Sequence, residues 1–155
     1  MIKKIILVVV TLIGTAWLFA KPYRTSGDCM EPAVKDGQFV FLNRVLPYLR
    51  QYKIGDIILF KHNEKIWISR IVALGKDTIH ITEGDILVNG ISLKDTVHRD
   101  WTDWKYGNYA IDNPLQVPLD HVFVLSDNLS AHHDDSRVFG PIPKKSILGL
   151  VWQLF

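Results

Sequence analysis

Asp85-Ile86-Leu87-Val88, Asn89-Gly90 and Ile91-Ser92-Leu93 read as two short strands joined by a two-residue turn. Asn and Gly tolerate the positive φ angles that such a turn requires. Upstream, Thr78 to Thr82 alternates apolar and polar residues, as a half-buried strand does. Ile66 to Ala73 is another strand, and the polar His62-Asn63-Glu64-Lys65 before it suits a hairpin turn. Ile57-Ile58-Leu59-Phe60 follows the turn-like Lys53-Ile54-Gly55-Asp56, and Phe39-Val40-Phe41-Leu42 is a β-branched and aromatic run. Downstream, His121 to Leu125 and Gly149 to Phe155 complete the set. No segment after residue 25 has a long helical period. The expected fold class is mainly β, an antiparallel barrel or sandwich with few helices.

Lys94 to Pro118 fits this scheme least. It contains Trp101, Trp104, Tyr106 and Tyr109 among Asp and Asn residues. It reads as an irregular insertion whose aromatics either pack onto the sheet or dip into a membrane interface.

The chain has 155 residues and a net charge of +2. That length allows one domain with its own core, and so small a charge gives no electrostatic case for nucleic acid. A single cysteine, Cys29, excludes an internal disulfide. It is an apolar filler, a free thiol or a catalytic one. With one cysteine and the scattered His62, His80, His98 and His121, no spacing suggests a metal site, and no cofactor is expected.

The N-terminus reads Met1-Ile2-Lys3-Lys4, then runs without charge from Ile5 to Ala20, then Lys21, Pro22 and Arg24. The uncharged run is shorter than the ~20 residues a bilayer span prefers, but Met1, Ile2 and snorkelling lysines extend it. A cleavable signal peptide would share this basic start and apolar centre, with Ala20 as its cleavage residue. Trp17-Leu18-Phe19 places bulky residues where cleavage needs small ones, which favours an uncleaved anchor. The expected division is an anchor over 1–24 and an extracytoplasmic β domain over 25–155. Lys3 and Lys4 favour a cytoplasmic N-terminus, and Lys21 and Arg24 oppose it.

Three stretches then fall into order. The first is Gly27-Asp28-Cys29-Met30-Glu31-Pro32-Ala33. The second is Ser69-Arg70-Ile71-Val72-Ala73-Leu74-Gly75-Lys76-Asp77. The third is Ser126-Asp127-Asn128, then Asp135-Ser136-Arg137-Val138-Phe139-Gly140. Together, behind an N-terminal anchor, they resemble the conserved boxes of type I signal peptidases across nearly the whole chain. The resemblance implies the β-rich signal-peptidase fold with one transmembrane helix. It also implies a membrane-anchored endopeptidase that cuts signal peptides from exported precursor proteins after small residues, using a serine nucleophile and a lysine base. Substrate would lie in an extended groove that reads a strand-like peptide by backbone hydrogen bonding.

The chain departs from that pattern at each catalytic position. Cys29 stands in place of the serine, Ser69 in place of the lysine, and His133 where a serine usually orients that lysine. Ser126 replaces a typical glycine. A thiol ionises near pKa ~8.5 and needs a base less than a hydroxyl does. Histidine, with an unperturbed pKa of ~6.5, is its usual partner. The expected site is therefore a Cys29–His133 dyad, with Ser69 as a hydrogen-bonding neighbour and Asp135 either orienting the histidine or pairing with Arg137. His132 is a second candidate cation. The opposing reading makes both histidines solvated loop residues. The Cys29 backbone N–H would donate to the oxyanion, and Gly27, at the second oxyanion position, has no hydroxyl to add. Arg70, Ser136 and Arg137 support the site, while Met30 and Pro32 set the turn and line the substrate pocket.

Two functions of different class follow. One is a thiol endopeptidase at the outer face of a membrane, with a variant that processes a single substrate for a secretion or conjugation system. The other is a catalytically inactive homologue that binds exported precursors or assists assembly of a surface structure. Partners in both cases are precursor proteins and the lipid bilayer.

Overall fold

The computed structural model describes residues 2–93, 105–129 and 133–152. His98, Trp101, Trp104 and His132 lie outside the described residues, as do the last three residues of the expected final strand.

The chain opens with helix α1 (Ile2–Phe19) and passes directly into strand β1 (Ala20–Arg24). Its strands continue as β2 (Phe39–Asn43), β3 (Ile57–His62), β4 (Lys65–Leu74), β5 (Thr78–Thr82), β6 (Asp85–Val88) and β7 (Ile91–Ser92). They end with β8 (Leu115–Gln116), β9 (His121–Leu125), β10 (Ile142–Pro143) and β11 (Ile147–Trp152). Short helices α2 (Leu46–Leu49) and α3 (Ser136–Phe139) interrupt them. Strand pairing is antiparallel throughout the described residues.

Seven strands form one sheet in the order β1-β2-β11-β3-β4-β9-β10, and four form a second in the order β7-β6-β5-β8. Two tight turns shape the hairpins. Asn89 and Gly90 have φ of 53° and 78° between β6 and β7, and Asn63 and Glu64 have φ of 46° and 63° between β3 and β4. Both positions per turn in the left-handed region are what the twist of a two-residue hairpin demands.

The central strands are apolar on both faces, which explains continuous runs such as Ile57-Ile58-Leu59-Phe60. Ile58 and Phe60 join Ile71, Val122, Val124, Ile142 and Leu150 on one face of the large sheet. Ile57 and Leu59 face the other way, toward Cys29, Met30, Val34, Val40, Leu42 and Ile68. Phe123 and Leu125 of β9 share that second face and meet Ile79, Ile81, Ile86 and Val88 of the small sheet. A bulge between Ile71 and Ala73 lets β4 serve both faces in turn.

The described part of the aromatic insertion packs onto the domain. Asn108 and Tyr109 donate backbone N–H groups to the Arg137 carbonyl at 2.7 and 3.0 Å, and Ala110 and Ile111 are buried in the core. Strand β1 departs from the sequence expectation, which assigned these residues to the anchor. Pairing with β2 from Ala20↔Asn43 to Arg24↔Phe39 recruits them into the large sheet.

Helix α1 has 18 residues. At 1.5 Å per residue such a helix is ~27 Å long, just under a ~30 Å hydrocarbon core. Among the described residues no helix is long and apolar enough to cross a membrane.

Candidate active site

The three sequence boxes converge. Cys29 lies in the turn after β1, and its carbonyl accepts the Asn128 N–H at 2.9 Å, which ties the first box to the third. The Asn128 side chain also donates to the Asp28 carbonyl at 3.4 Å. Arg70 binds Asp127 through two bonds, Nε to Oδ1 at 2.7 Å and a terminal N–H to Oδ2 at 2.5 Å, which ties the second box to the third. Such a bidentate fork fixes direction as well as distance.

Asp135 resolves one sequence alternative, since its carboxylate pairs with Arg137 and not with the histidine. It accepts from Arg137 Nε, from an Arg137 terminal nitrogen at 2.9 Å, and from the Arg137 and Ser126 backbone N–H groups. Ser136 Oγ accepts the Val124 N–H at 3.0 Å and so fixes α3 to β9.

Cys29 is 1% exposed and packs among Met30, Leu42, Leu59 and Ile68. Burial pushes its thiol up to about 11, and the carboxylates of Asp28, Asp127 and Asp135 push the same way. Only its own backbone N–H opposes them. This setting keeps the sulfur protonated at neutral pH. Ser69 is equally buried, lies opposite Ile58 in the β3–β4 register, and donates its hydroxyl to the Ile68 carbonyl at 2.7 Å. His133 packs its ring edge-on against Trp67, with centroids 5.2 Å apart. Among the described residues no hydrogen bond joins Cys29, Ser69 and His133 to one another.

Gly27 has φ of +97°, a conformation that favours glycine, and its N–H is held by Asp36 at 2.8 Å. Met30 and Pro32, expected from the sequence to set the turn and line the substrate pocket, are not among the residues lining the groove described below. Met30 is 1% exposed and belongs to the core beneath Cys29, while Pro32 is exposed. The physical reason is that the turn after Cys29 points its one long apolar side chain inward, toward Val40 and Leu42. Among the described residues no group of three or more His, Cys, Asp or Glu lies close enough to hold a metal ion.

The groove itself has a volume of about 360 Å³. Tyr23, Arg24, Thr25 and Ser26 line it together with Lys65, Ile66, Trp67 and Ile68, joined by Leu59 and His133. The β4 wall is informative. Strand β9 pairs with β4 only from Arg70 onward, so among the described strands Lys65 to Ser69 pair with β3 alone. The other edge of that segment carries backbone donors and acceptors for an added strand. Cys29 does not line the groove, but Ser26 is three residues before it and Ile68 packs against it. Sequence reasoning missed the Tyr23–Ser26 wall, Trp67 and the Arg70–Asp127 pair. The signal available was the third box itself, since a buried Asp beside Asn128 needs a cationic partner.

A family model described as signal peptidase, peptidase S26, matches residues 1–154. The chain is 29% identical over 149 residues to signal peptidase I of Bacillus amyloliquefaciens, covering 94% of this chain and 80% of that protein. It is 28% identical over 153 residues to signal peptidase I S of Bacillus subtilis, covering 94% and 81%. The crystal structure of a signal peptidase I from Enterococcus faecalis superposes with a TM-score of 0.50 at 27% identity, covering 65% of this chain and 97% of that one. A match along essentially the whole sequence, on the same mainly antiparallel β fold, places this chain in the signal peptidase family of peptide-bond hydrolases.

Proposed function

We propose that this chain is a membrane-anchored endopeptidase that cuts signal peptides from exported precursor proteins, with Cys29 in the nucleophile position. The observation that carries the reading is the groove whose Ile68 wall packs against Cys29, bordered by the β4 edge that no described strand covers. An extended peptide laid along Lys65 to Ser69 gains backbone hydrogen bonds, and its side chains alternate into the Leu59 and Ile68 wall. Small side chains suit so shallow an apolar wall.

The chemistry is acyl transfer. Cys29 sulfur bonds to the scissile carbonyl carbon as its proton passes to His133. That proton then goes to the departing amine as the C–N bond breaks, and water hydrolyses the thioester. The reading requires His133 to leave Trp67 when peptide enters, and the Cys29 backbone N–H to receive the oxyanion. Exposure of Ile2, Ile5, Ile6, Leu7 and Val8 on α1 supports an anchor in lipid.

A second reading has its own observation. A thiol that is 1% exposed and pushed up to about 11 suits a homologue that binds precursors without cutting them. Incubating the full chain in detergent with a precursor peptide separates the two. The endopeptidase reading predicts cleavage, with a loss of ~100-fold or more in Cys29→Ala and in His133→Ala. Binding without cleavage selects the second reading, and equal cleavage by Cys29→Ala removes sulfur from the reaction.

A further inference from the structure

The groove is electrically one-sided. Arg24 and Lys65 both line it and both are exposed, whereas none of its lining residues is Asp or Glu. Lys21 adds a third cation, with its ammonium 5.3 Å from the centroid of the Tyr23 ring. Three carboxylates outside the lining have partners of their own. Asp36 accepts the Gly27 N–H, Glu64 pairs with Lys61 at 3.0 Å, and Asp134 accepts from the Tyr106 hydroxyl. Among the described residues Lys65 has no carboxylate partner, and the Arg24 guanidinium meets only the Gly37 carbonyl at 3.3 Å. At the Cys29 end the sign reverses, because Asp28 is exposed there.

We propose that the groove selects extended peptides carrying a carboxylate side chain three to four residues from the bond presented to Cys29, where Lys65 meets it. The spacing follows from β4. Lys65 is three residues from Ile68, which packs on Cys29. A strand rises about 3.3 Å per residue, so a peptide laid alongside reaches Lys65 after about 10 Å, three of its own residues. A basic side chain at that position meets a like charge and is disfavoured, while Asp28 tolerates one near the bond itself. The inference rests on the peptide-groove reading and adds to it a charge preference at one register.

The test uses the full chain in detergent and a labelled, neutral, alanine-rich peptide of the signal-peptide cleavage region. Asp, Asn or Lys is placed at each position in turn, and affinity is read by fluorescence anisotropy. Asp at a single register should bind about threefold tighter than Asn at low salt, the scale of one exposed ion pair. Lys there should bind more weakly than Asn, and the gap should close at ~1 M salt, where screening falls to about 3 Å. Lys65→Gln should remove the Asp preference and Lys65→Arg should keep it. Circular dichroism establishes that both variants are folded. If the neutral peptide binds but Asp and Asn are equal at every position, the charge preference is wrong and the groove reading stands. An Asp preference that survives Lys65→Gln also overturns the assignment. If no peptide binds, the groove reading and the preference fall together.

Discussion

Asp135 and Arg137 form an ion pair 2.9 Å long in which neither side chain has any exposed surface. Both carboxylate oxygens are used, and the Tyr106 ring lies 5.8 Å from the guanidinium carbon. A buried pair of this kind contributes little against an apolar replacement, but removing one partner strands the other charge. Asp135→Asn or Arg137→Met should therefore cost about 3–5 kcal/mol in urea unfolding. The Asp135→Leu/Arg137→Met double variant should recover part of that loss. A single-variant loss below about 1 kcal/mol, the range of an exposed pair, would contradict the burial.

The Cys29 thiol gives a stability slope with a definite sign. Its ordinary value is 9.0, and burial raises it to about 11 in the folded chain. Between these values the unfolded chain loses the proton while the folded chain keeps it. The unfolded state then binds fewer protons, so stability falls as pH rises. The contribution is complete below about pH 9 and is lost through about pH 11. Unfolding midpoints across that window should fall in wild type and fall less in Cys29→Ala. Alkylation by iodoacetamide should be slow at pH 7 and accelerate only well above the usual thiol range.

Gly107 tests whether the aromatic insertion braces the site. It has φ of +111°, and a Cβ there would lie 2.3 Å from the Arg137 carbonyl oxygen. That carbonyl already accepts from Asn108 and Tyr109. Gly107→Ala should cost roughly 2 kcal/mol or more, through clash and backbone strain together. Gly90 offers the comparison, with φ of +78° but nothing within 4 Å of an added Cβ. Gly90→Ala should cost only about 1 kcal/mol, the left-handed backbone alone. Thermal unfolding of the two variants checks the ranking.

These features differ in how far the sequence discloses them. Asn89-Gly90 and the apolar run at Ile57 are local signals, and the hairpin and central strand appear where those residues predict. Strand β1 is different. Ala20-Lys21-Pro22-Tyr23-Arg24 has neither alternation nor β-branched residues, and it is a strand because β2 supplies its partner. The three boxes at Cys29, Arg70 and Asp135 were legible in order, since each carries its own residue pattern. The burial of Cys29 was not, because Leu42, Leu59 and Ile68 reach it from three separate strands. The Asp135 choice between histidine and Arg137 was equally closed to sequence, since only the conformation of α3 brings Arg137 Nε back onto the carboxylate.

In the proposed reaction Cys29 sulfur becomes acylated by a peptide held in the groove. Acid-quenching the full chain during turnover of a precursor peptide, then mass analysis of the fragment containing Cys29, tests it most directly. A thioester adduct on Cys29 with the mass of the N-terminal cleavage product is expected, absent in Cys29→Ala. Cleavage that proceeds with no adduct at Cys29, and at the same rate in Cys29→Ala, would contradict it.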